Sequence, residues 1–123
     1  MEVVCAIIEN EEGKLFAARR APHKSLAGYW EFPGGKREEG ESLEEALQRE
    51  LREELKASLV IGPLIHKLSW ENKRGAFELS AFAVKSPEQA FSLEDHDKQG
   101  WFKLDELLSL KLLPADVLLL KEW

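Results

Sequence analysis

The stretch Gly35-Lys36-Arg37-Glu38-Glu39-Gly40-Glu41-Ser42-Leu43-Glu44-Glu45-Ala46-Leu47-Gln48-Arg49-Glu50-Leu51-Arg52-Glu53-Glu54-Leu55 decides the fold of this chain. Ser42 with Glu45 three residues on is a capping box, so a helix over residues 42–55 is expected. On a wheel at about 100° per residue, Leu43, Ala46, Leu47, Leu51 and Leu55 form an apolar sector. Glu45, Gln48, Arg52 and Lys56 point to solvent. Glu50 and Glu54 fall in the sector of Leu43 and Leu47, and Glu53 lies at its border beside Ala46. Three carboxylates at i, i+3 and i+4 then converge on one patch facing the protein body. Unpaired, they repel one another and lose hydration. Either they hold protons with raised pKa values, or a hard divalent cation sits among them. The bland alternative is a solvated, Glu-rich helix. Arg49 stands four residues before Glu53, close enough to orient it.

Upstream, residues 2–9 are apolar and β-branched and read as a strand, followed by the turn Asn10-Glu11-Glu12-Gly13 and a second strand over residues 14–20. Residues 21–28 read as a loop and 29–32 as a short aromatic strand. Pro33-Gly34-Gly35 is expected to break any regular element. Downstream, residues 58–69 and 76–85 read as strands around the polar turn 71–75. Residues 86–100 read as a loop, 101–102 as a short strand, and 104–110 and 114–120 as short helices. Strands mixed with helices in a chain of 123 residues predict one domain, α/β in class, with a mixed sheet covered by helices.

The run Gly35, five residues, Glu41, seven residues, Arg49-Glu50-Leu51-Arg52-Glu53-Glu54-Leu55 strongly resembles the signature box of the Nudix hydrolases. Phe16-Ala17-Ala18-Arg19-Arg20, Trp30-Glu31-Phe32-Pro33-Gly34-Gly35-Lys36 and Leu113-Pro114-Ala115-Asp116 resemble the MutT-like nucleoside triphosphate branch, so the likeness covers nearly the whole chain, residues 1–123. One departure is plain: Lys56 stands where the family usually has Gly, which puts the helix C-cap in question.

The resemblance implies an α/β/α sandwich around a mixed central sheet. It implies cleavage of a nucleotide diphosphate linkage with Mg²⁺ or Mn²⁺, held by Glu50, Glu53, Glu54 and a backbone carbonyl at or near Gly34. Catalytic roles fall to Glu50, Glu53, Arg49 and Asp95. For the general base, Glu50 stands against Glu94 or Asp95, because Asp95, His96 and Trp101 match a spacing seen in relatives with Asp where Glu is usual. Substrate binding falls to Arg20, Ser25, Glu31, Phe32, Pro33, Gly34 and Asp116. At Asp116 a carboxylate suits a guanine edge or the amino group of cytosine; the bland reading is a surface residue in a helix's first turn. The expected reaction is nucleoside triphosphate to monophosphate and pyrophosphate, with 8-oxo-dGTP first and CTP or a modified dCTP second. Asn72-Lys73-Arg74-Gly75 lacks the Pro or Tyr that relatives acting on ADP-ribose or dinucleoside polyphosphates tend to carry.

Composition narrows the partners. Hydrophobic residues make up 44% and charged residues 33%, as in a soluble globular protein. Seventeen Lys and Arg face 23 Asp and Glu, a net charge of −6, which argues against a nucleic acid polymer or an anionic membrane. Eight glutamates lie between Glu38 and Glu54, and metals there would reverse the local sign for a nucleotide. One cysteine, Cys5, gives no intramolecular disulfide; this and the lack of a signal peptide or apolar span fit the cytoplasm, as monomer or homodimer. Two non-enzymatic readings stand beside the hydrolase. One is a nucleotide-sensing Nudix module. The other is an EF-hand-like calcium loop, since Asp95-x-Asp97-x-Gln99-Gly100 with Glu106 nearly fits that pattern.

Overall fold

Strand β1 (Glu2–Glu9) sits at the centre, and its near-continuous apolar sequence follows from being covered on both faces. Val4, Ala6 and Ile8 point into one core, Cys5 and Ile7 into the other. The computed structural model describes residues 1–122. Around β1 run β2 (Leu15–Arg20), β3 (Trp30–Glu31), β4 (Gly34–Lys36), β5 (Ile61–Asn72), β6 (Gly75–Lys85) and β7 (His96–Phe102). β1 pairs with β6 in parallel and with β2 and β4 antiparallel; β2 also carries β3 and β7, and β5 closes the other side on β6. The sheet is mixed, as expected.

Helix α1 (Leu43–Leu55) covers one face. Ala46, Leu47, Leu51 and Leu55 are buried against Val4, Ile8, Phe16, Phe82 and Val84. Phe91 and Trp101 both meet Phe16 edge-on. α2 (Leu104–Leu108) and α3 (Pro114–Lys121) cover the other face with Leu107, Leu119 and Leu120. Truncating a fully buried leucine such as Leu47 to alanine in a core of this kind costs about 2–5 kcal/mol. Both caps of α1 are in place. The Ser42–Glu45 capping box is reciprocal, at 3.1 and 2.8 Å. The C-cap is kept as well, because Lys56 itself takes the left-handed conformation, φ 54° and ψ 36°.

Two elements differ from the sequence reading. Gly34 and Gly35 do not break the chain; they are strand residues of β4, opposite Cys5 and Val4. Their φ values are not positive. Their lack of a side chain serves close approach instead: a Cβ on Gly34 would lie 2.0 Å from the Val4 carbonyl oxygen. The second difference is β7, which begins at His96 inside the expected loop. His96-Asp97-Lys98-Gln99 shows no apolar alternation. Backbone pairing to β2, the Arg19–Asp97 pair at 2.8 and 2.9 Å, and the exchange of bonds between Gln99 and the Phe91 backbone hold it extended. That conformation removes the EF-hand reading: Asp97 answers Arg19, Gln99 answers Phe91, and no helix lies between β6 and β7 to flank the segment. No helix among the described residues is long and apolar enough to cross a membrane.

Candidate active site

The inward side of α1, β4 and the loop before β7 meet in a cleft of about 410 Å³ lined by Arg20, Lys24, Gly34, Glu50, Glu53, Glu54, Lys56, Glu94 and Asp95. The helical wheel is right about two of the three glutamates. Glu50 and Glu54 face the protein body, with side chains 15% and 13% exposed. Glu53 stands on the rim at 58%, one step past the apolar sector. Gly35 makes room for Glu50, since a Cβ there would lie 2.5 Å from its carboxyl group. Gly34 donates its backbone N–H to Glu54 Oε1 at 3.0 Å. The two glycines therefore bring β4 against the carboxylate helix.

Electrostatics follow from this packing. Burial pushes the Glu54 carboxyl up to about 9, helped by the charges of Glu31 and Glu50 and opposed by the Gly34 N–H. Burial also raises Glu50, while Arg49 pulls it back. Arg49 does more than orient Glu53. It grips Glu41 with two bonds, Nε at 2.7 Å and Nη2 at 3.0 Å, and holds Glu41 down to about 2. It also reaches Glu50 at 2.9 Å and the Lys36 carbonyl at 2.9 Å, with Glu53 more distant at 3.4 Å. One guanidinium thus ties the loop before α1, the end of β4 and the acidic face together.

A second group was not seen as a unit in the sequence. Ligand atoms of Glu31, Glu54 and His96 lie within 4.8 Å of one another. His96 Nε2 is 2.9 Å from Glu31 Oε2 and 3.8 Å from Glu54 Oε2. Nε2 faces both carboxylates, and the buried Nδ1 has no partner among the described residues. Glu31 also accepts from Arg20 Nη1 at 3.0 Å. These residues come from β2, β3, α1 and β7 and are far apart in sequence, so no local spacing betrays them.

The donor set fits a hard divalent cation. It is rich in carboxylate oxygens, and Glu50 and Glu54 sit together half-desolvated, with raised pKa values that a cation would reverse. Glu50, Glu53 and Glu54 can offer oxygens to the cleft, and Glu31 and His96 extend the set on the inner side.

The expected substrate residues are placed as follows. Arg20 donates to the Ser25 carbonyl at 2.7 Å, to Ser25 Oγ at 3.3 Å and to Glu31 at 3.0 Å, so each of its three side-chain nitrogens has a protein partner. The Phe32 ring is 3% exposed and belongs to the core on the α2–α3 face. Pro33 is buried, and its carbonyl accepts from Ala6. Asp116 is no surface residue. It is buried, accepts the Phe32 N–H at 3.0 Å, and is pushed up to about 8 by burial. Asp95 lies on the rim beside His23 and Lys24, and Glu94 beside Lys56; only His96 of that segment turns inward.

Comparison with known proteins agrees with this architecture. The NUDIX domain model matches residues 1–122. CTP pyrophosphohydrolase of Escherichia coli is 38% identical over 121 residues, 98% of this chain and 89% of that protein. The 8-oxo-dGTP diphosphatase of Proteus vulgaris is 30% identical over 110 residues, 89% of this chain and 95% of that one. The crystal structure of a MutT protein from Methanosarcina mazei superposes with a TM-score of 0.85 at 29% identity, covering 99% of this chain and 90% of that chain. A carboxylate helix packed on two close-approach glycines, within a family match that spans every described residue, makes this chain a member of the Nudix hydrolases.

Proposed function

We propose that this chain is a nucleoside triphosphate pyrophosphohydrolase that uses Mg²⁺, or Mn²⁺, and releases a nucleoside monophosphate and pyrophosphate. The observation that carries the reading is the half-buried pair Glu50 and Glu54 beside the rim carboxylate Glu53, on a cleft whose walls include the Gly34 backbone. Metal bound there supplies charge neutralisation at the phosphates and activation of water. The chain's own part is positional. Arg49 fixes Glu50 and the loop at Glu41, and Gly34 fixes Glu54. Glu50, Glu94 and Asp95 all line the cleft as candidate bases.

For the base, Asp116 offers a carboxyl group already anchored through Oδ2 to Phe32. Near neutral pH much of it is protonated, so it can both donate and accept. That matches the mixed donor and acceptor edge of cytosine and of an oxidised guanine. The likeness to a CTP pyrophosphohydrolase over nearly the whole chain supports CTP or a modified dCTP, and the likeness to 8-oxo-dGTP diphosphatases supports 8-oxo-dGTP. A pyrophosphate-release screen over normal, methylated and oxidised nucleotides with Mg²⁺ tests both. Release from one of these two groups, at least tenfold faster than from the other nucleotides, is expected. Release of phosphate alone, or from no nucleotide, would overturn the reading.

A further inference from the structure

Lys56 occupies a position whose backbone favours glycine. Its φ of 54° lies in the left-handed region that L-residues enter at a cost. A side chain kept at such a position, on the wall of a functional cleft, points to a role for the side chain itself. The Lys56 ammonium reaches the rim of the carboxylate cleft. Nζ donates to the Glu53 carbonyl at 3.1 Å and lies 3.1 Å from Glu94 Oε2. An ammonium has three donors, so one remains without an acceptor among the described residues.

The pair with Glu94 is easily exchanged. Both side chains are about half exposed, 49% and 59%, and an exposed pair is weak and screened by salt. The other cations of the cleft are placed differently. Arg20 is committed to Ser25 and Glu31 through Nε and both terminal nitrogens, and Lys24 stands 3.8 Å from Asp95. Lys56 caps the C-terminal end of α1, three residues past Glu53, on the wall of the cleft. A polyphosphate has more charge than its metal contacts neutralise, and its remaining oxygens want a donor at this rim.

We propose that Lys56 is a polyphosphate-binding residue, whose ammonium leaves Glu94 for a phosphate oxygen when the substrate enters the cleft. This rests on the triphosphate reading above. The test is therefore made first without any nucleotide. Inorganic pyrophosphate with Mg²⁺ is titrated by calorimetry into the whole chain and into Lys56→Gly, Lys56→Met, Lys56→Arg and Glu94→Gln. Lys56→Gly and Lys56→Met are expected to weaken binding about tenfold, roughly 1.4 kcal/mol. Lys56→Arg is expected to restore it to within about threefold of the parent, since a guanidinium also donates to phosphate. Glu94→Gln is expected to bind at least as tightly as the parent. Lys56→Gly suits the cap conformation, so its melting temperature is expected not to fall. With a substrate found in the screen, Lys56→Met is expected to raise KM about tenfold with kcat changed by less than about twofold. Unchanged pyrophosphate binding in Lys56→Gly and Lys56→Met would overturn the proposal. So would a loss in Glu94→Gln equal to that in Lys56→Met, which would make the pair a clasp for the loop. Weakened pyrophosphate binding in Lys56→Met, in a protein that cleaves no triphosphate, supports Lys56 as the anion-binding residue and overturns only the triphosphate reading.

Discussion

Glu53 and Glu54 are neighbours in sequence and opposites in surroundings. Glu54 is desolvated and anchored by Gly34, whereas the Glu53 carboxylate meets Arg49 at 3.4 Å and is more than half exposed. Removing the Glu53 charge should therefore leave the fold alone and strike the chemistry. For Glu53→Gln we expect a melting temperature within about 2 °C of the parent and turnover lowered by roughly a hundredfold or more, measured by circular dichroism and pyrophosphate release. Near-normal turnover would remove Glu53 from the mechanism. At this scale the sequence was legible where neighbours lie on one helix turn: Glu50 and Glu54 come together as i and i+4 must. It was silent where partners come from different strands. Arg49 was paired with Glu53 on spacing, yet Glu41, eight residues back, holds it more tightly because the loop folds over the helix start. The Glu31–His96 contact and the burial of Asp116 beneath Phe32 likewise exist only once β3, β7 and α3 are assembled.

Among the elements, α1 was readable to the residue because capping, periodicity and length all agree. β4 was not, since two glycines after a proline carry turn chemistry and no strand propensity. Their function as strand residues is visible only from what lies beside them. Gly34 meets the β1 backbone and Gly35 meets Glu50, so the two positions should respond differently to a methyl group. Gly34→Ala presses on a backbone carbonyl that has nowhere to go, and we expect a loss of about 2–4 kcal/mol in urea unfolding. Gly35→Ala presses on a carboxylate at the end of a flexible side chain, and we expect a smaller loss of stability but weaker Mg²⁺ binding by calorimetry. Equal losses of stability for the two would contradict the division of labour proposed for this strand.

For the whole molecule, charge and stability are coupled through the cleft. A carboxyl whose pKa is raised on folding keeps its proton in the native state while the unfolded chain has released it. Native stability then declines as pH rises through the interval between the two values. For Glu54 the interval runs from about 4.5 to about 9, and for Asp116 from about 3.8 to about 8. Glu41 works the other way, losing its contribution as pH falls from about 4.5 toward about 2. Metal-free protein is therefore expected to melt highest near pH 5 and several degrees lower at pH 9. Glu54→Gln should flatten the alkaline fall in part, and Mg²⁺ should stabilise more as pH rises, because it binds the ionised carboxylates. A melting curve independent of pH between 5 and 9 would contradict the desolvation of Glu54. The mixed sheet was legible in outline from alternating strands and helices, but its strand order was not, because the register of β1 against β6 is set by partners from opposite halves of the chain. That same register has a temporal consequence. β1 can pair with β2 and β4 soon after it is made, but its edge toward β6 stays open until Leu79 through Val84 have followed. Closing so long a loop slows folding as well, and the chain's capacity to aggregate is set by the lifetime of that open edge of β1.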